Sequence, residues 1–166
     1  MNAVSNTTPL RYLIAIEQDH LLGKLFEKVF VPDAVHEELT DTRTPEIVRR
    51  RVISLPSWLE VRRVPETQMS AFPTTLHRGE REAILLAETL RADVLLIDEQ
   101  IGRTIARSRN VPISGTLGIL ERGDLLGLVR DFPKILENLK KSGFFITESL
   151  EYQLLQRHRS RTSKPK

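Results

Sequence analysis

The run Val94-Leu95-Leu96-Ile97 is apolar throughout and stops at two acids, Asp98 and Glu99. Before it, a helical pattern covers about residues 78–90, with Ala83, Leu86, Ala87 and Leu90 forming an apolar stripe. After it, Gln100 to Arg109 reads as a helix again. Strands alternating with helices imply a mostly parallel sheet covered by helices on both faces, a three-layer α/β fold. In open sheets of this kind the carboxyl ends of the strands form the crevice that receives ligands and metals. Asp98 stands at such an end. The first strand, Ala3-Val4-Ser5, ends in the same way, but in Asn6, where a metal site would call for another carboxylate.

The rest of the chain repeats the alternation. Helices are expected over about residues 8–17 and 20–27, and a strand over Val29–Val31. Pro32 suits the first position of a helix Asp33–Thr40, and Pro45 the start of another running to about Ser54. Leu59–Val64 alternates like a strand, and a loop with Pro65 and Pro73 leads to the helix at Arg78. Beyond Asn110, a short strand Pro112–Ser114 precedes a helix opening near Thr116. Asp131 and Thr147 are expected to cap the last two helices. No repeat or inter-domain linker interrupts the pattern. At 166 residues, with 40% hydrophobic and 28% charged, the chain reads as one domain.

Without cysteine, the chain has neither disulfides nor thiolate metal ligands. No segment approaches the roughly 20 apolar residues of a membrane span. The N-terminus lacks a signal-peptide pattern, so a cytoplasmic protein is expected. The net charge of +3 is uneven: Arg157, Arg159, Arg161, Lys164 and Lys166 fall within residues 157–166, with no acid among them. The body, residues 1–156, is nearly neutral, and the basic C-terminal tail suits phosphates or an acidic partner. It equally suits a solvated end.

Four positions stand where chemistry is expected: Asn6, Glu38, Glu80 or Glu82, and Asp98. Mg²⁺ and Mn²⁺ take oxygen ligands, and a pair of ions about 4 Å apart can drive phosphodiester cleavage. That chemistry needs carboxylates from several elements at one crevice. Each residue also has a plain structural role open to it. Acids in the first turn of a helix complement its dipole. Asn6 can cap a helix, in competition with Thr7 and Thr8. Asp98 can be a cap as well, and Glu38 a solvated surface residue.

The order of these residues carries more than any one of them. Val4-Ser5-Asn6-Thr7-Thr8-Pro9-Leu10 resembles the opening of PIN-domain ribonucleases of the group like VapC-type toxins of bacterial toxin–antitoxin systems. Val31-Pro32 through Glu38-Leu39 is similar to their second motif, and Leu76-His77-Arg78-Gly79-Glu80-Arg81-Glu82-Ala83-Ile84 to the third. Leu95-Leu96-Ile97-Asp98-Glu99 with Arg103 and Ala106 is similar to the fourth, and residues 111–120 to the strand–turn–helix that follows. The resemblance implies a PIN-like fold and a Mg²⁺- or Mn²⁺-dependent endoribonuclease toxin. Asn6, Glu38, Glu80 or Glu82, and Asp98 would be its catalytic, metal-binding cluster. Thr7 or Thr8 would be the hydroxyl beside it, and Arg103 a phosphate contact or half of an ion pair with Glu99. It also implies a cognate antitoxin, an RNA substrate and a homodimer.

Two residues depart from the family pattern. Asn6 and His77 stand where aspartate is usual. An amide oxygen ligates a metal without neutralising its charge, so weak metal binding and slow or absent turnover are expected. The rival reading keeps the fold but has it hold RNA or an antitoxin without cleaving. A receiver-like regulatory domain would need a lysine and a phosphorylatable aspartate at strand ends, a pairing not evident here.

Overall fold

The computed structural model describes residues 1–163; Lys164 and Lys166 of the basic end lie outside the described residues. The chain runs β1 (Asn2–Ser5), α1 (Thr7–Ala15), α2 (His20–Leu25), β2 (Lys28–Pro32), α3 (Asp33–Thr40), α4 (Glu46–Ile53) and β3 (Leu59–Arg62). A 3-10 turn, Glu66–Ala71, follows. Then come α5 (Arg78–Leu90), β4 (Val94–Leu96), α6 (Gln100–Ser108), β5 (Ile113–Ser114), α7 (Thr116–Leu125), α8 (Phe132–Lys141) and α9 (Glu148–Thr162). The five strands form one sheet, ordered β3-β2-β1-β4-β5, and every pairing is parallel.

Side-chain alternation along the strands divides the core in two. Ala3, Val29, Val31 and Leu96 face one layer, packed with Leu10, Leu13, Val35, Leu120 and Leu136 of the flanking helices. Val4, Phe30, Leu95 and Ile97 face the other, covered by Ala83, Ile84, Ala87 and Ala106 of α5 and α6. The three layers expected from the alternation are therefore present. Among the described residues, no helix is long and apolar enough to cross a membrane.

The boundaries correct the sequence reading in small, physical ways. Neither Pro32 nor Pro45 is the first helical residue. Each is extended (ψ 163° and 138°) and stands just before its helix as the N-cap residue. Proline fixes φ but leaves ψ free, so it serves either position. The loop between Pro65 and Pro73 contains the 3-10 turn. Asp131 and Thr147 cap as expected: their side chains accept the backbone N–H of Lys134 (3.1 Å) and Leu150 (3.2 Å).

Residues 157–162 are the last turns of α9, not a segment apart from it. Arg157 Nε donates to Glu121 Oε1 at 2.5 Å, and Arg161 donates to Asp124, both acids on α7. His158 Nδ1 lies 2.9 Å from Asp124 Oδ1, and its ring stacks on Phe132 with centroids 5.3 Å apart. Arg157 and Arg161, two of the five basic residues at this end, are thus balanced inside the fold. Asp124 is buried between its partners, so removing it leaves a poorly solvated arginine. Asp124→Ala is expected to cost about 3 kcal/mol, or roughly 6–12 °C of Tm for a chain of this size. Hydrogen exchange should show α9 losing protection before the sheet does. An unchanged exchange pattern would mean that α9 is held by Leu154 and its apolar neighbours alone.

Candidate active site

The strand order reverses between β1 and β4: β2 and β3 extend the sheet from β1 in one direction, β5 from β4 in the other. The connections leave the carboxyl ends of these neighbours in opposite directions and open a crevice there. Asn6 lies at its floor, 2% exposed, with its backbone N–H donating to Leu96 O at 2.9 Å. Its side chain does not cap α1. Instead Asn6 Nδ2 donates to Glu99 Oε2 at 3.2 Å. Thr8 Oγ1 donates to Glu99 Oε1, and Thr7 Oγ1 donates to Glu38 Oε2 at 2.6 Å.

Glu80 enters from the first turn of α5. It is buried at 7% exposure and accepts the backbone N–H of His77 at 3.0 Å, which ties it to the helix start. Burial pushes its carboxyl above the usual range. The hydrogen bond from His77 opposes that push, and the nearby charges of Glu99 and Glu38 add to it. Two glycines let these acids approach the backbone. A Cβ on Gly79 would lie 2.7 Å from Glu38 Oε1, and one on Gly102 would lie 3.3 Å from Glu80 Oε1. Asn6, Glu38, Glu80 and Glu99 are therefore brought together.

Glu82 and Asp98 are engaged elsewhere. Glu82 is buried with Oε2 accepting the Ala34 N–H at 3.0 Å in the first turn of α3, and Oε1 accepting Arg78 Nε at 2.8 Å. It satisfies a helix N-terminus and an arginine. Asp98 accepts the N–H and the hydroxyl of Thr116 at 2.9 and 2.6 Å, holding the start of α7. Burial raises its pKa, against the pull of those two bonds. Arg103 does not pair with Glu99: its Nη1 donates to Ile97 O at 2.8 Å, and its charge bears on Asp98. The residue that joins the cluster after β4 is thus Glu99. Its signal in the sequence was its place directly after Asp98 at the end of the same strand.

The chemistry of the donor set suits a hard cation: three carboxylates and an amide oxygen, with no nitrogen or sulfur. Among the described residues, no three acidic or histidine side chains already stand in metal-holding geometry. Glu38 and Glu99 are turned onto Thr7 and Thr8, and both are exposed, so each reorients at the cost of a hydroxyl contact.

Comparison with known proteins agrees with this architecture. A family model described as a PIN domain (DUF3368) matches residues 2–160. A solved structure of a PilT N-terminus domain protein from the hyperthermophilic archaeon Sulfolobus solfataricus P2 superposes with a TM-score of 0.51 at 17% identity. The match covers 89% of this chain and 98% of that one. At that identity the likeness speaks for the fold alone. No curated protein matches the chain.

The two glutamates of α5 are expected to respond oppositely to neutralisation. A carboxyl whose folded pKa is raised contributes stability that is complete below its ordinary value of 4.5 and lost as pH rises through the folded pKa. Glu80→Gln keeps an acceptor for His77 and removes that loss. Its Tm should exceed the parent's at pH 7 and equal it near pH 4. Glu82→Gln should instead lower stability at pH 7 by about 1–3 kcal/mol, as a charge-assisted bond to Arg78 is lost. Thermal melts of both variants at the two pH values check this; matching shifts would mean that both acids are structural.

Proposed function

The chain belongs to the PIN-domain family, and from that premise we propose that it is a metal-dependent endoribonuclease acting at the β1/β4 crevice. PIN domains are generally nucleases that use divalent metal ions. The observation that supports the reading here is the burial of Glu80 among like charges. A carboxylate held beside Glu38 and Glu99 above its ordinary range is an arrangement that a cation relieves.

In this reading Asn6 Oδ1, Glu38, Glu80 and Glu99 hold Mg²⁺ or Mn²⁺. An ion held by these residues would supply water activation and charge neutralisation at the phosphate. The chain's own residues do the rest. Thr7 and Thr8 orient Glu38 and Glu99 through their hydroxyls. Arg11, Arg43 and Arg78 line a cavity of about 380 Å³ on the Glu38 side of the crevice, and Arg103 stands on the other. Arg43 is paired with Asp41, and Arg78 with Glu37 and Glu82, so Arg11 and Arg103 are the cations beside the acids best placed to take an RNA phosphate. Asp98 keeps the start of α7 in register with the crevice, and Ile97 O anchors Arg103 beside it.

The resemblance to VapC-type toxins extends the proposal to a toxin restrained by a neighbouring antitoxin, and to a homodimer. One observation favours the non-catalytic alternative. Asn6 presents a donor to Glu99 where a fourth carboxylate would repel it, so the site carries one negative charge fewer with which to hold a cation.

Asn6→Asp separates the two readings. Charge-assisted contacts are worth roughly 1.5–3 kcal/mol, and about 1.4 kcal/mol is tenfold. The added carboxylate should therefore tighten Mn²⁺ binding by at least tenfold and raise the cleavage of a mixed RNA pool. Calorimetry and gel analysis of the products provide the readouts. A folded Asn6→Asp protein that binds Mn²⁺ no better and cleaves nothing would leave the RNA- or antitoxin-binding reading in possession.

A further inference from the structure

A second cavity, of about 450 Å³, opens beside the acid cluster, between β5, the start of α7 and the α8–α9 connection. Its inner wall holds Asp98, Arg103 and Ser114, and its outer wall Phe144, Phe145 and Leu150. The two walls differ in kind, and the combination narrows what can enter.

The inner wall is kept open by glycine. A Cβ on Gly118 would lie 2.3 Å from Ser114 Oγ. One on Gly115 would lie 2.6 Å from Asp98 Oδ1 and 3.1 Å from Arg103 Nη1. Any larger residue would cover the polar groups that face the cavity. Arg103 is anchored by one N–H to an uncharged carbonyl, Ile97 O, and a guanidinium has five donors. Most of its hydrogen-bonding capacity is therefore free for a ligand, and its position is already set.

The outer wall offers an aromatic face. Phe145 is 84% exposed, the most exposed large apolar side chain among the described residues. Phe144 behind it is braced edge-on by Tyr12, with ring centroids 5.1 Å apart. A flat ring presented to water next to a cationic group and a hydroxyl matches one nucleobase with its phosphate: stacking on the ring, hydrogen bonds at the inner wall, charge on Arg103. The volume lies within the roughly 300–1,000 Å³ of small-ligand sites. The cavity neighbours the acid cluster: Asp98, on its wall, feels the charge of Glu99.

We infer that this cavity holds one nucleobase of single-stranded RNA, the base next to the phosphodiester at the acid cluster, with Phe145 as its stacking platform. The inference rests on the nuclease reading for its substrate, and its test does not depend on cleavage. The probe is a fluorescein-labelled single-stranded RNA hexamer, together with a set in which one base at a time is replaced by an abasic ribose. Affinity is read by anisotropy in Ca²⁺ buffer, and RNA integrity by gel.

With the parent protein, the loss of one base should weaken binding roughly 5- to 150-fold, the range of a single aromatic stack, and the loss of the others far less. Phe145→Ala should weaken binding of the intact hexamer and abolish that position-dependent penalty. Leu150→Trp, a change at a partly exposed position that narrows the mouth, should do the same. Unchanged melting curves for both variants show that the fold is kept. A flat abasic scan, a penalty that survives in both variants, or no RNA binding at all would overturn the inference. A flat scan with intact cleavage in Mn²⁺ leaves the nuclease reading standing and points the cavity toward a protein partner. A position-dependent penalty without cleavage in Mn²⁺ leaves the base site standing and removes the nuclease reading.

Discussion

Everything at the crevice depends on the parallel pairing of β1 with β4. The register Val4↔Leu95 and Ser5↔Leu96, continued by the bond from Asn6 N–H to Leu96 O, brings two strand ends together that are about ninety residues apart in sequence. Both strands are sealed on their two faces by Ala3, Val4, Leu95, Leu96 and Ile97, each fully buried. A slip of one residue would turn each strand's apolar set to the wrong layer. The apolar cores thus enforce the polar geometry. Once the register is set, Asn6 and Glu99 meet without any strong attraction between them.

The acids gathered there are a liability that the fold contains. Glu80 is buried near the charges of Glu38 and Glu99, against the solvation that a carboxylate prefers. Hydrogen bonds from Thr7, Thr8, Asn6 and the His77 backbone hold the group in place. Glu80, Glu82 and Asp98 each accept a backbone N–H at the start of a helix, but Glu82 adds a bond from Arg78 and Asp98 one from the Thr116 hydroxyl. Glu80 has no such second partner and is faced by the charges of Glu99 and Glu38.

The layered fold was legible from local signals: the apolar run Val94–Ile97, the stripe of α5, and the capping residues Asp131 and Thr147. The crevice was legible too, as acids at strand ends and helix starts. The choice between neighbours was not. Glu80 and Glu82 both open α5, and what assigns Glu82 to the scaffold is the Ala34 N–H, 48 residues away. Likewise Asp98 and Glu99 part company because α7 needs Thr116 held at its start. The basic end misled for the same reason: the acids that answer Arg157 and Arg161 lie on α7, beyond the reach of any local pattern.

The central claim is that Glu38, Glu80 and Glu99 form one cation site, and it is tested most directly by thermal stability as a function of Mn²⁺. Ligand bound only to the folded state adds about 2.7 kcal/mol at a hundred times its Kd, several degrees for a chain of this size. The Tm of the parent protein should climb with the logarithm of Mn²⁺ concentration once that concentration exceeds Kd. In a Glu38→Gln, Glu99→Gln double variant, which removes two exposed charges without touching the core, the climb should vanish. An equal Mn²⁺ response in parent and double variant, or none in the parent, would contradict the account.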